Sequence, residues 1–176
     1  MNYASWPKRV LAAIVDGLIV TVIAVPVLIL LIAVAAGAES GSLVVLSIVF
    51  FFAVGVLYAP VLMQRPGERN GQTWGKQLIG IRVVRDDGEE VSFGYALLRE
   101  FLIKGLVIGW LGGLLWSIPT IINYLWPLWD KENRALHDMM AKSHVLGADA
   151  PPTVGEANAG EPKQPPAPDP AERQDV

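Results

Sequence analysis

An aspartate interrupts a long apolar stretch near the start of the chain. Asp16 lies within residues 10–36, which are otherwise almost wholly apolar. A carboxylate at the centre of a membrane-spanning helix costs about 2.5–3.5 kcal/mol, whereas each Leu, Ile, Val or Phe returns about 0.3–0.6 kcal/mol. The segment therefore still inserts, but the Asp16 side chain must face protein or water rather than lipid. Arg9 lies about two helical turns earlier, on nearly the same helix face.

Asp16 has two interpretations, between which the sequence does not choose. In the structural one, its carboxylate pins two helices together by pairing with a basic or polar side chain. The candidate partners are Arg99, Lys104 and Asn123. In the functional one, Asp16 binds a cation or exchanges a proton during transport, because ionisable residues inside membrane spans are usually functional.

Three apolar segments can place these residues in a membrane: 10–36, 42–63 and 102–129. About 20 apolar residues cross the hydrocarbon core of a bilayer. Only 18% of the residues are charged, below the roughly 25% of a soluble domain. A cleaved signal peptide is the alternative for the first segment, but such peptides have apolar cores of about 7–15 residues. We therefore predict an all-α transmembrane fold with three spanning segments.

Small residues recur at every fourth position of the third segment: Gly105, Gly109, Gly113 and Ser117. On one continuous helix they would share a face, and small residues at this spacing let helices approach closely in lipid. This pattern predicts a helix-packing face and, through it, a homo-oligomer or another membrane partner. Pro119 and Pro127 favour instead a helix that is kinked or ends there. The alternative is a broken or re-entrant segment that turns near Gly112-Gly113. A continuous helix would place the carboxyl terminus outside, and a re-entrant one would return it inside.

A polar loop, residues 64–101, connects the second and third segments. Lys76–Arg85 has the pattern of a β-strand, and Asp87-Gly88 suits a tight turn. Glu89–Phe93 can pair back on that strand, which predicts a small hairpin-like element. Ser143–Leu146 is also strand-like and can pair with the same strand if the carboxyl terminus returns to this side.

Basic residues predict the orientation. The turn after the first segment has none, whereas seven lie between residues 64 and 104: Arg65, Arg69, Lys76, Arg82, Arg85, Arg99 and Lys104. The excess of Lys and Arg in cytoplasmic loops places the amino terminus and the loop 64–101 in the cytoplasm.

The composition changes at about residue 147. The remaining residues include seven prolines and are acidic on balance. Such a segment has little to bury, so we predict a disordered tail over 147–176 and a membrane domain over 1–146.

Three short motifs accompany the charged residues. Gly71–Lys76 reads Gly-Gln-Thr-Trp-Gly-Lys, Ile79–Val84 reads Ile-Gly-Ile-Arg-Val-Val, and Arg134–Asp138 reads Arg-Ala-Leu-His-Asp. Together with Arg9 and Asp16, these motifs resemble the RDD family, whose members are bacterial membrane proteins named for one arginine and two aspartates.

This resemblance covers residue 3 to about residue 146. By position, it identifies Arg9 as the family arginine and Asp16 as the first aspartate. The second aspartate is Asp138, with Asp130 the less favoured alternative. The resemblance implies a multi-pass protein of the bacterial inner (plasma) membrane, with the lipid bilayer as its surroundings.

The resemblance implies a function only in outline. One implied activity is transport of a small ligand or cation–proton exchange, with Asp16 carrying the ion and Arg9 and Asp138 setting the field at the cytoplasmic mouth. The alternative is a non-transporting scaffold or assembly factor, in which the charged triad locks the helices together and the loop or tail recruits a partner. Neither interpretation identifies a ligand.

Several kinds of site are not expected. The chain has no cysteine, which excludes disulfides and thiolate chemistry. Gly75-Lys76 is not a P-loop, because Gln77 stands where that motif has Ser or Thr. His137 and His144 lack the clustered ligands of a metal site. We therefore predict no enzymatic activity, cofactor, metal or nucleic-acid partner.

Overall fold

Two long apolar helices form the body of the fold. The computed structural model of the chain describes residues 2–149, apart from the side chains of residues 111 and 112. Helix α1 is Trp6–Gly37, and α2, Gly41–Met63, packs against it. Both are long and apolar enough to cross a membrane, and most of their side chains face outwards. The first two predicted spans are confirmed as helices of this kind.

The third apolar stretch is not one continuous helix. Helix α4, Phe93–Leu97, continues as a π-helix, Leu98–Trp110, and then as the short helix α5, Leu111–Leu114. The chain then turns, and α6, Ile118–Leu125, follows before a 3₁₀ turn at Trp126–Leu128. Within residues 2–149, only α1 and α2 are helices long and apolar enough to be candidate membrane spans.

The turn between α5 and α6 explains this difference. Trp116 and Ser117 have φ of 55° and 64°, in the left-handed region that no right-handed helix contains. Pro119 lies in the first turn of α6, where its missing N–H costs little. The Thr120 hydroxyl donates to the Ile108 carbonyl at 3.3 Å, so α6 folds back on the π-helix. A continuous face of Gly105, Gly109, Gly113 and Ser117 was therefore a wrong prediction, because Ser117 belongs to the turn.

A two-stranded antiparallel sheet joins the loop to the end of the described chain. Strand β1, Ile81–Arg85, pairs with β2, Ser143–Gly147, in the register Ile81 to Gly147 and Arg85 to Ser143. The amino terminus joins this sheet, because the Ala4 amide donates to the Val145 carbonyl at 2.8 Å. The predicted pairing of residues 143–146 with the loop strand is confirmed. The amino terminus, the loop and the chain after α6 therefore lie together.

The predicted hairpin with Glu89–Phe93 is wrong. The Asn70 side chain donates to the Val91 carbonyl at 3.1 Å and accepts from the Val91 amide at 2.7 Å, so both backbone groups of Val91 are already used. The tight turn at Asp87-Gly88 is confirmed, because Gly88 has φ of 78° and its amide donates to the Arg85 carbonyl at 3.3 Å.

The predicted strand Lys76–Arg85 begins later than expected. Its first residues form helix α3, Trp74–Ile79, whose start is capped by the Thr73 hydroxyl accepting from the Lys76 amide at 3.3 Å. Gly80 ends α3 with φ of 69°, a conformation that glycine adopts without strain. The last short helix is α7, Leu136–Met140. Gly147, the first residue of the predicted tail, is the last residue of β2. Residues 150–176 of that tail lie outside the described residues.

Candidate functional site

Asp138 stands at the centre of a buried ion-pair network. It lies in the first turn of α7 and is fully buried. Its carboxylate pairs with Arg9 from the first turns of α1 and with Arg99 from the π-helix, and it accepts from the Ala135 amide at 2.9 Å. Arg9 also donates to the Asn133 carbonyl. One carboxylate therefore connects α1, the π-helix and α7.

The pKa values around Asp138 follow from this burial and charge. Burial alone would raise the pKa of Asp138, but His137, Arg99 and Arg9 outweigh it and hold this pKa well below its usual range. Burial lowers the pKa of the neighbouring His137 to about 3, despite the opposite effect of Asp138. At neutral pH the carboxyl is therefore ionised and the imidazole is neutral.

Hydrogen bonds fix the neutral form of His137. Its Nδ1 lies 2.8 Å from Asn123 Oδ1, and its backbone amide donates to the same oxygen at 3.1 Å. Its Nε2 lies 3.3 Å from a guanidinium nitrogen of Arg99, which can only donate. We therefore assign the ring proton to Nδ1.

Glu100 forms a second group of charges beside the first. Its carboxylate pairs with Arg99, lies 3.2 Å from Lys104 Nζ and lies 3.7 Å from Lys76 Nζ. Burial lowers the pKa of Lys76, although Glu100 acts in the opposite direction. The sequence predicted roles for Arg99 and Lys104 but missed Glu100, whose position in a short polar stretch gave no separate signal.

Asp16 is held by groups other than the predicted ones. Its Oδ1 accepts from the Tyr58 hydroxyl and from the Gly75 amide, both at 2.7 Å, and its Oδ2 accepts from the Thr73 hydroxyl at 2.5 Å. Asp16 therefore joins α1 to α2 and to the start of α3. It lies about 15 Å along α1 from the first residue of that helix.

The predicted partners of Asp16 engage other groups among the described residues. Arg99 pairs with Asp138 and Glu100, Lys104 pairs with Glu100, and Asn123 binds His137. The prediction of these partners was wrong, because the Asp16 side chain faces α2 and α3 rather than the π-helix and α6. Arg9 likewise pairs with Asp138 and not with Asp16.

The other acidic candidate lies apart from this network. Asp130 accepts from the Arg134 amide at 2.8 Å and from its guanidinium at 3.3 Å. Burial raises the pKa of Asp130, but its hydrogen bonds with Arg134 outweigh burial and lower it. The geometry therefore favours Asp138 over Asp130 as the partner of the amino-terminal arginine.

A cavity of about 430 Å³ brings the charged residues together. It is bordered by α1, α2, α3, the π-helix and α6. Four basic and two acidic side chains line it: Arg9, Lys76, Arg99, Lys104, Asp16 and Glu100. The cavity has the size of a small-molecule site and the charge to hold a polar or ionic solute. Within residues 2–149, no three His, Asp or Glu side chains are grouped to hold a metal ion.

The family assignment rests on the comparison of the whole sequence. The sequence profile of the RDD family matches residues 3–142. The chain belongs to the RDD family. No characterised protein and no solved structure matches it significantly. The resemblance predicted from the motifs is confirmed, and the matched residues of this RDD membrane protein include Arg9, Asp16 and Asp138.

Of the three residues singled out by the family resemblance, Arg9 and Asp16 line the charged cavity. Arg9 and Asp138 form the buried ion pair, and Asp16 forms a separate set of hydrogen bonds with Tyr58, Thr73 and Gly75. Thr73 and Gly75 belong to the Gly71–Lys76 motif, so the motif itself is the sequence signal for them. Tyr58 lies in an apolar helix and could not be selected from the sequence.

Proposed function

We propose that this RDD protein transports a small charged solute across the membrane and binds it in the charged cavity. The observation that carries the proposal is the position of Asp16 and Arg9. Both extend from a long apolar helix into one cavity that also contains Lys76, Arg99 and Glu100. A charged side chain on a membrane-spanning helix makes insertion of that helix less favourable. Ionisable groups inside a membrane therefore commonly mark ion and substrate pathways.

In this proposal Asp16 is the residue that exchanges a cation or a proton. Each of its oxygens already accepts at least one hydrogen bond, from Tyr58, Thr73 and Gly75. These bonds use three of the roughly four acceptor positions of a carboxylate, so an incoming ion competes with the donors for Asp16. Because Thr73 and Gly75 lie on the loop side of the cavity, exchange at Asp16 would move the start of α3 relative to α1.

The cellular setting belongs to the same proposal. The protein lies in the bacterial inner membrane with its amino terminus and the loop 64–101 in the cytoplasm, as the distribution of basic residues favours. Two long apolar helices and a folded-back third segment are too few to enclose a pathway. Transport therefore requires a homo-oligomer or another membrane partner. The proposal includes no enzymatic reaction.

One observation favours a different function, that of a membrane scaffold. Asp16 and Asp138 both find their hydrogen-bond and ion-pair partners inside the chain. Such satisfied networks suit a role in holding helices and loop together. In this alternative the sheet and the loop 64–101 present a surface to a partner, and no solute moves.

Ion-driven proton flux in proteoliposomes separates the two functions. We expect the Asp16→Asn protein to lose flux that the unchanged protein shows at equal reconstitution, while remaining folded. The matched control is Glu39→Gln, which neutralises an exposed acid in the turn between α1 and α2. An Asp16→Asn protein that loses stability, together with an unchanged protein that gives no flux with any cation, would support the scaffold.

A further inference from the structure

A second cavity, of about 440 Å³, lies between α2, the π-helix and α6. Most of its wall is apolar or made of glycine: Gly55, Val56, Phe101, Gly105, Ile108 and Gly109. Its polar lining consists of Glu100, Lys104, Thr120, Asn123 and Tyr124. Glu100 and Lys104 line the charged cavity as well. The cavity is therefore amphipathic, with a long apolar wall and a few polar groups.

Asn123 carries an unpaired hydrogen-bond donor in this cavity. Its side chain is fully buried, and its Nδ2 has no partner among the described residues. The orientation of the amide is fixed, because the His137 backbone amide can only donate and lies 3.1 Å from Asn123 Oδ1. The other terminal atom of the amide is therefore Nδ2, the donor that has no partner. A buried donor without an acceptor costs free energy, which a bound acceptor would recover.

Lys104 supplies a positive charge to the same cavity. Its Nζ donates to Glu100 at 3.2 Å, which uses one of its three N–H groups. Glu100 is itself shared with Arg99 and Lys76, so its single negative charge is divided among three cations. An anionic oxygen between Lys104 and Asn123 would meet one cationic and one neutral donor.

We propose that this cavity binds a fatty acid taken from the membrane, with its carboxylate on Lys104 and Asn123 and its acyl chain along the glycine-rich wall. Three observations converge on this ligand. Asn123 Nδ2 requires an acceptor, and Lys104 favours a negative one. Apart from Glu100 and Lys104, the residues of α2 and the π-helix that line the cavity are apolar or glycine. A cavity of about 440 Å³ suits one acyl chain rather than the two of a phospholipid. This inference goes beyond transport and does not depend on it.

The direct test uses a photoreactive fatty acid with the full chain in phosphatidylcholine nanodiscs. After illumination, the labelled peptides are identified by mass spectrometry. We expect labelling on α2 around Gly55 and on the π-helix around Gly105. An unlabelled fatty acid should compete, whereas its methyl ester, which has no carboxylate, should compete on the order of tenfold less well.

Two variants test the two halves of the site. Asn123→Asp keeps an acceptor for the His137 amide but places a second acid where the carboxylate would bind. Gly55→Leu fills the apolar part, because a Cβ at Gly55 would meet nothing within 4 Å. We expect each to weaken competition on the order of tenfold or more. The matched control is Gly113→Leu, because a Cβ at Gly113 also meets nothing within 4 Å. Gly113 lies on α5 and does not line this cavity.

Three results would overturn the inference. Equal competition by the acid and its methyl ester would show that the cavity does not recognise the carboxylate. Equal labelling of Gly55→Leu, Gly113→Leu and the unchanged protein would mean that the probe reports lipid-facing surface rather than the cavity. If the unlabelled fatty acid does not reduce labelling, the cavity binds no fatty acid, and a water molecule is the acceptor for Asn123 Nδ2. Because no gradient is applied, each result is independent of whether the protein transports a solute.

Discussion

Arg9 and Asp138 are 129 positions apart in the sequence, yet they form an ion pair around a fully buried carboxylate. The pair joins the first turns of α1 to α7, after the chain has passed through two long helices and a folded-back segment. Arg99 contacts the other oxygen of Asp138, so the carboxylate is enclosed by two guanidinium groups. Two residues near opposite ends of the family-matched region therefore meet in one tertiary contact.

Replacing Asp138 should destabilise the fold strongly. Asp138→Asn would leave Arg9 and Arg99 buried without their shared counter-charge, and breaking one side of a buried ion pair costs about 3–5 kcal/mol. Thermal unfolding of the purified protein in detergent measures this loss. Asp130→Asn is the matched control, because Asp130 lies outside the buried network and pairs with a partly exposed arginine. Equal losses for the two variants would contradict the central place of Asp138.

The neutral His137 should make the protein less stable in acid. Its pKa is about 3 in the fold and 6.5 as the ordinary value. Between these values the unfolded chain binds more protons than the folded chain, so the free energy of unfolding falls as the pH drops. From pH 6.5 to pH 5 the loss is about 2 kcal/mol. Unfolding by denaturant at several pH values measures it.

The His137→Gln protein is the control for that pH dependence. Glutamine can keep a donor towards Asn123 but does not titrate, so the slope between pH 6.5 and pH 5 should largely disappear. Around His137 lie the charges of Asp138, Arg99, Lys104 and Glu100. The carboxylates among them titrate mainly below this window. An unchanged slope in His137→Gln would assign the acid sensitivity to other groups.

Gly75 should not tolerate a side chain. A Cβ there would lie 2.5 Å from the Ala12 carbonyl oxygen and 2.7 Å from Asp16 Oδ1. The first of these atoms belongs to the backbone of α1 and cannot move without shifting the helix. We expect Gly75→Ala to cost about 1–3 kcal/mol by overpacking, measured by thermal unfolding. Gly94→Ala, where a Cβ meets nothing within 4 Å, should leave stability unchanged or slightly higher.

Removing the Tyr58 hydroxyl should loosen Asp16 with little effect on packing. Tyr58→Phe keeps the ring that packs edge-on against Trp74 at 5.9 Å but deletes the 2.7 Å donor to Asp16. We expect a loss of about 1 kcal/mol in thermal stability. If Asp16 exchanges an ion, the variant should also change the cation concentration that gives half-maximal flux. A stability loss without any change in flux would favour the structural role of Asp16.

The sequence was sufficient for α1 and α2 because each is a long apolar run whose identity does not depend on neighbours. The family resemblance drew attention to Arg9, Asp16 and Asp138, but only the fold shows which groups each of them contacts. The third apolar stretch was ambiguous, because the glycine spacing fits a continuous helix while Pro119 and Pro127 fit a kink or an end. The turn at Trp116 and Ser117 decides between them, and only the fold shows it.

The partners of Asp16 could not be predicted for a different reason. They depend on the rotation of α1 against α2 and on where the loop returns, and neither follows from local pattern. Asn70 shows the same effect in the loop, where its side chain occupies the backbone groups of Val91 that a hairpin would have used. In both places a single polar side chain from a distant part of the chain decides the local structure.

The pairing of β1 with β2 sets an order on biosynthesis. β1 leaves the ribosome well before β2, and by then α1 and α2 have already been made. Until residues 143–147 follow, β1 has no strand to pair with, and Asp138 is not yet present to meet Arg9. Until then the contacts open to the loop are those with earlier parts of the chain, such as the bonds of Thr73 and Gly75 to Asp16. A chain cut short before α7 would therefore lack both the strand that pairs with β1 and the carboxylate that neutralises Arg9.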